Sequence, residues 1–235
     1  MPSVVQAAAR RARMTAHADR QAKFDPKGAM RDEVNLDHTL RALMLVGFFI
    51  LLPIGVYHRL KSQATHERLD RRQEGAFILA TLRPLALLHW AGIIAYMINP
   101  AWMAWSSVPL PAWLRWTGAA LAPLGAGLLV WTFRALGPNL TDTVVTRRSH
   151  TLVTRGPYRF IRHPFYDAGA VLAVATSLMM ANWFTLVTGA SAVVLLAVRS
   201  RTEEEKLLAR FGDSYRAYRS QTGRFVPKIG KKSRR

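Results

Sequence analysis

The apolar residues of this chain are gathered into long blocks with few or no charges, and that segregation decides the class of fold. Residues 40–57 (LRALMLVGFFILLPIGVY), 76–98, 111–136 and 165–199 are each predominantly apolar. A bilayer core offers no water to exposed N–H and C=O groups, so blocks of this kind are satisfied only as helices. The first supplies about 18 residues, or ~27 Å of helix, which just reaches across the hydrocarbon. Residues 165–199 are too long for one crossing. Asn182, beside Trp183, divides them into two arms, which predicts a hairpin whose ends share one side. The pattern predicts an all-α polytopic membrane protein with about five transmembrane helices.

Between the blocks the charge is strongly positive: 33 Lys+Arg against 14 Asp+Glu, a formal net charge of +19. Nucleic acid is not the expected partner, because neither zinc-ligand spacing nor an RNA-binding signature accompanies the charge. Beside membrane-length blocks, anionic lipid headgroups are the natural partner of basic loops. The absence of cysteine excludes disulfides, thiolate catalysis and Cys-ligated metals, and no metal site is expected. No secretory signal is expected either, since the first apolar run begins too late for one.

Four regions follow. Residues 1–39 form a basic polar tail with Ala-Arg repeats and a turn at Asp25-Pro26-Lys27-Gly28. Residues 40–135 hold the N-terminal membrane helices, 136–227 a core of loop, helical hairpin and C-terminal helix, and 228–235 a basic end. Residues 58–75 read as an interfacial helix, with Glu67/Arg71 and Asp70/Glu74 at helical spacing. In the second block Arg83 lies about two turns in and is expected to snorkel, and His89 to be satisfied by helix packing. Residues 99–112 carry no charge but hold Trp102 and Trp105, with Trp113 just beyond, as an interfacial aromatic belt. The small residues Gly118, Ala119, Ala122, Gly125, Ala126 and Gly127 predict close packing of the third block against a neighbour. Residues 137–164 hold five Lys/Arg and one acid, and 199–235 hold twelve against four, which predicts that both lie on the cytoplasmic side. Five crossings would then put the N-terminus outside, against its own seven Lys/Arg, so whether the first block crosses is left open.

The chemistry concentrates in residues 150–166, HTLVTRGPYRFIRHPFY. Arg155, Arg159 and Arg162 give fixed positive charge, and His150 and His163 titrate near neutrality. Tyr158 and Tyr166 each offer a ring face and a hydroxyl. Gly156-Pro157 sets a turn that brings backbone close to whatever binds, and Pro164 suits the first turn of a helix.

The order H-x-L-V-x-x-G-P-Y-x-x-x-R-H-P-x-Y, followed by an apolar hairpin, R-x-x-x-E-E and F-G-x-x-Y-x-x-Y, resembles the integral-membrane isoprenylcysteine carboxyl methyltransferase and phospholipid methyltransferase family. The matching residues run from His150 to Tyr166 and then through Arg199, Glu203, Glu204, Phe211, Gly212, Tyr215 and Tyr218. The resemblance implies methyl transfer from S-adenosylmethionine to a lipophilic acceptor (a carboxylate, thiol or phospholipid amine) at the cytoplasmic membrane face. It implies that His150, Thr151, Leu152, Val153, Gly156, Tyr158, His163, Pro164, Phe165, Tyr166 and Glu203 hold the donor. Arg199, one helical turn before Glu203, is implied to contact the acceptor and to act with Glu203 in catalysis. Arg201 takes that place if the register slips by two. Taken alone, Glu203-Glu204-Glu205 reads as a solvated helix face, and Tyr215 and Tyr218 as packing the last helix onto the loop. Asp167 departs from the family pattern, in which a small residue is common before Gly169. Two rival readings are an NADPH-dependent membrane sterol-type reductase and a non-catalytic anchor for anionic lipid.

Overall fold

The computed structural model describes residues 26–63, 76–137 and 151–228, together with Gln6, Arg10 and Met14. The Ala-Arg repeats, the Glu67/Arg71 and Asp70/Glu74 pairs and His150 lie outside the described residues. Among the described residues from Pro26 onward, five α-helices follow one another: α1 Pro26–Gln63, α2 Ala76–Ile98, α3 Ala112–Leu136, α4 Pro164–Met180 and α5 Trp183–Gln221. Four of them are long and apolar enough to cross a membrane, and α4 is a shorter apolar helix of the same kind. No strand occurs among the described residues beyond two isolated bridges. The all-α, multi-pass architecture is therefore as the apolar blocks require.

Met1–Thr39 and Leu40–Arg235 form two compact units, and the bundle is built by the second. The turn expected at 25–28 is replaced by the start of α1, with Pro26 in the first helical position, where a missing N–H costs nothing. Helix once formed propagates at one hydrogen bond per residue without a new nucleus, so α1 outruns its apolar block at both ends.

One end of the bundle, away from residues 150–166, is closed by side chains that bond backbone carbonyls. The hairpin turns at Ala181, which adopts the left-handed conformation (φ 48°). Asn182 then caps α5: its Oδ1 accepts from Thr185 N at 3.1 Å, while its Nδ2 donates to Met103 O and Ser106 Oγ. The division expected at Asn182 thus has a mechanism, an N-cap that also ties the hairpin tip to the tryptophan-bearing connection. Arg115, buried in the first turn of α3, donates to the Met179 carbonyl at 2.9 Å. That carbonyl belongs to the last turn of α4, which has no intrahelical partner to offer it. Arg41 donates to the carbonyls of Met97 and Ile98 at the C-terminal end of α2. Since the other end of α1 lies beside the C-terminal end of α3, with His58 stacked on Phe133, the first apolar block runs the full length of the bundle.

Two of the small residues of α3, Gly118 and Gly125, pack against α4 as expected, and Gly127 does not. A Cβ at Gly118 would stand 2.7 Å from Ala175 O and 3.0 Å from Met179 N, both backbone atoms of α4. One at Gly125 would stand 2.9 Å from Leu172 Cγ. Gly127 faces open space. His89 Nδ1 lies 3.1 Å from Thr188 Oγ1, a helix-packing contact. Arg83 sits on an exposed face of α2.

Gly118→Val is expected to lower the melting temperature in detergent, because two backbones must separate. Gly127→Ala is expected to leave it unchanged or raise it, since Ala is favoured over Gly within a helix by roughly 1 kcal/mol. Thermal unfolding of both variants, followed by circular dichroism, checks the contrast.

Candidate active site

At the opposite end, the loop leaves α3, makes a 3₁₀ turn at Gly156–Arg159 and enters α4 at Pro164. Gly156 has φ 61°, and a Cβ there would stand 2.8 Å from Ala135 Cβ and 3.3 Å from Trp131 Nε1. The turn at Gly156-Pro157 brings the backbone close to α3. Pro164 occupies the first position of α4, as its lack of an N–H predicts, and His163 precedes it.

The chain's last segment is stitched to this loop. Arg162 N donates to Gly223 O at 2.9 Å, His163 N to Arg224 O at 3.2 Å, and Gly223 N to Phe160 O at 3.2 Å. Beneath the stitch lies Glu204, its side chain only 3% exposed. Its Oε1 accepts from Arg162 Nε at 2.9 Å and Arg224 Nε at 3.0 Å, with His163 Nε2 at 3.2 Å. Its Oε2 accepts from a terminal nitrogen of Arg224 at 2.9 Å, and Arg219 Nε stands 3.7 Å away. Burial alone would raise the pKa of this carboxyl; the hydrogen bonds from His163, Arg224 and Arg162 hold it well below the ordinary carboxylate range. Glu204 lies beyond residues 183–198, the apolar part of α5, where the helix has left the membrane blocks.

Arg162 is accordingly engaged within the protein. Besides Glu204 it bonds the carbonyls of Thr222 and Arg219. Arg155 turns to Ala135 O, and Arg159 lies over the ring of Phe160 at 4.8 Å. Glu204 was missed as anything but a solvated residue. Part of the signal was present: three consecutive carboxylates on a helix point about 100° apart, so they do not all share one solvated face.

Beside this stitch a smaller cluster forms around Glu203. Tyr166 OH donates to Glu203 Oε2 at 2.8 Å, and His163 Nδ1 stands 3.8 Å from the same oxygen. The rings of His163 and Tyr166 stack at 5.2 Å and 13°. The side chain of Glu203 is 32% exposed, so the carboxylate is held yet open. Tyr158 joins this group: burial first, then the charge of Glu203, pushes its phenol well above its ordinary value, so it stays neutral. Arg199 is near enough for its charge to act on the Tyr166 hydroxyl. Asp167 Oδ2 is buried without a hydrogen-bond partner, close enough to His163 to feel its charge. Tyr218 OH donates to Tyr158 O at 2.7 Å and Tyr215 is 1% exposed, which is the packing role expected of both. Phe165 lies farther out, 38% exposed, its ring 6.3 Å from that of Tyr166. Thr151 is exposed, and Leu152 and Val153 are half-buried in the segment leading into the turn.

The apolar helices and the helical hairpin together define an integral-membrane protein, with the aromatic–carboxylate cluster at one end of its bundle. Residues 118–209 match the Isoprenylcysteine carboxyl methyltransferase (ICMT) family. The protein-S-isoprenylcysteine O-methyltransferase of Schizosaccharomyces pombe is 33% identical over 96 residues, covering 40% of this chain and 41% of the relative. The Homo sapiens enzyme of the same name is 32% identical over 117 residues, 48% of this chain and 41% of the relative. The chain thus spans about two-fifths of these relatives. The methanethiol S-methyltransferase of Mycobacterium tuberculosis is 25% identical over 216 residues, 82% of this chain and 83% of the relative. The solved structure of the eukaryotic intramembrane Ras methyltransferase ICMT shares the fold, with TM-score 0.50 and 22% identity over 83% of this chain and 76% of that one.

Glu204→Gln is expected to cost about 3–5 kcal/mol, because three arginines lose the one buried charge that faces them. The folded pKa of Glu204 is depressed, so its contribution is full above the ordinary carboxylate range and is lost as pH falls through the depressed value. Melting temperature against pH, measured for both proteins, should show wild type falling more steeply in acid than Glu204→Gln.

Proposed function

We propose that this protein transfers a methyl group from S-adenosylmethionine to a lipophilic acceptor at the cytoplasmic membrane face. The observation that carries the reading is the Glu203 carboxylate, oriented by Tyr166 and His163, left open to a ligand and lying inside the region that matches the methyltransferase family. The cytoplasmic side follows from the excess of Lys/Arg in residues 137–164 and 199–235.

The donor set suits such a cofactor. Its ammonium and hydroxyls require anionic acceptors, which Glu203 and the unpartnered buried oxygen of Asp167 supply. Its flat base requires a ring face, which Tyr158, His163 and Tyr166 offer. When bound, the cofactor supplies an electrophilic methyl on a sulfonium, and methyl transfer then needs no metal and no covalent enzyme intermediate. Orientation is therefore the main task of the protein. Tyr166, its hydroxyl on Glu203 and its ring on His163, fixes the carboxylate's direction. Arg199 is the residue to position a carboxylate acceptor, because its planar fork binds one bidentately.

The acceptor class is proposed from the relatives. An isoprenylcysteine carboxylate is already nucleophilic at neutral pH and asks only for Arg199. A thiol, as named for a relative that matches over 82% of this chain, must in addition lose a proton to a base.

Purified protein is expected to bind S-adenosylhomocysteine and not NADPH; NADPH alone would indicate a reductase, and neither ligand an anchor. Glu203→Gln should weaken donor binding by about 1.5–3 kcal/mol, the worth of a charge-assisted hydrogen bond. Tyr166→Phe should weaken it less and leave the fold intact. Arg199→Lys should retain donor affinity and lose transfer of labelled methyl into a lipid extract, since lysine lacks the planar fork. Near-wild-type transfer by Arg199→Ala/Glu203→Ala would remove this pair from the site.

A further inference from the structure

Apart from the cleft at Glu203, a groove runs between α1 and α3. Its inner part, about 440 Å³, is lined by Ile50, Leu51, Ile54, Ala126 and Gly127. Its outer part, about 590 Å³, shares Ile54, Val130 and Arg134 with the inner and ends at His58, Lys61 and Gly137. Lys61 lies in the last turn of α1 and Arg134 in the last turn of α3. Both cations therefore sit at the loop end of the bundle, at headgroup depth, while the trough behind them is apolar. None of the lining residues is acidic. We infer that this groove holds an anionic phospholipid, its acyl chain against Ile50, Ile54 and Gly127 and its phosphate between Lys61 and Arg134.

Three features favour a bilayer phospholipid over the methyl acceptor. A basic recess between membrane helices at one face is the chemistry that recognises an anionic headgroup. The two cations complement a phosphate, and no carboxylate is among the described lining residues. Phe133 closes the groove off from the reacting groups: it stacks on His58 at 5.5 Å and packs on Phe165 at 6.0 Å, and Phe165 in turn meets Tyr166. An occupant touches the wall behind the site, not Glu203 or Arg199. Gly127 keeps the trough open, because a Cβ there meets nothing within 4 Å and any larger side chain projects into it.

Full-length protein in phosphatidylcholine nanodiscs, with and without phosphatidylglycerol, tests this without measuring activity, so its outcome is separate from that of the methyl-transfer reading. Phosphatidylglycerol is expected to raise the melting temperature of wild type and of the surface control Arg216→Gln. The rise should vanish in Lys61→Gln/Arg134→Gln and in Gly127→Phe. Native mass spectrometry of wild type should retain one phosphatidylglycerol per chain after washing in detergent, and Gly127→Phe none. An equal rise in every variant would mean general attraction to a basic surface and would overturn the proposal. So would a rise that survives Gly127→Phe, a wild type that retains no phosphatidylglycerol, or displacement of the retained lipid by farnesylcysteine or a simple thiol, which would make the groove the acceptor's.

Discussion

The loop end of this molecule depends on one buried carboxylate. Glu204 meets Arg162 and Arg224 through hydrogen bonds, with His163 and Arg219 close by. These come from three parts of the chain: the loop, the end of α5 and the segment beyond it. A buried charge is tolerated only when paired and hydrogen-bonded, so the carboxylate holds all three in one arrangement. The same bonds set the direction of His163, whose other nitrogen and ring face the neighbouring Glu203 and Tyr166. Two adjacent glutamates on one helix thus divide the work. Glu204 turns inward and fastens the loop; Glu203 stays open at its edge.

The opposite end is held by different chemistry. There the fastenings are side-chain donors to helix-terminal carbonyls: Arg115 to Met179, Arg41 to Met97 and Ile98, Asn182 to Met103. Helix ends leave carbonyls without partners, and in a bundle of membrane helices those groups cannot rely on solvent. Between the two ends the helices meet over glycine, with α3 and α4 in backbone contact at Gly118. A bundle fixed at both ends and packed closely through α3 and α4 gives the loop a rigid base, which a site acting by orientation requires.

Much of this was legible in the amino-acid order and some was not. The helices announced themselves because each apolar block is either the right length for a crossing or, at residues 165–199, twice that length. Asn182 was legible because a capping residue between two apolar arms has one main use. The partner of Arg162 was not legible, because a basic residue in a glycine- and proline-bearing loop looks the same whether it faces a ligand or a buried glutamate 42 positions on. Asp25-Pro26-Lys27-Gly28 was misread because proline and glycine in succession also suit the start of a helix.

The sequence by itself determined the class: periodless apolar blocks and segregated charge leave helices in a membrane as the only structure that satisfies the backbone. It also singled out residues 150–166 as the stretch expected to carry the chemistry, since histidines, arginines and tyrosines occur together there. Which of two neighbouring glutamates is fastened and which is free was decided only by tertiary structure. The difference is a rotation of about 100° around one helix, and its sense depends on where Arg162, His163 and Arg224 arrive from distant parts of the chain. Position along the sequence holds no record of that meeting; packing creates it.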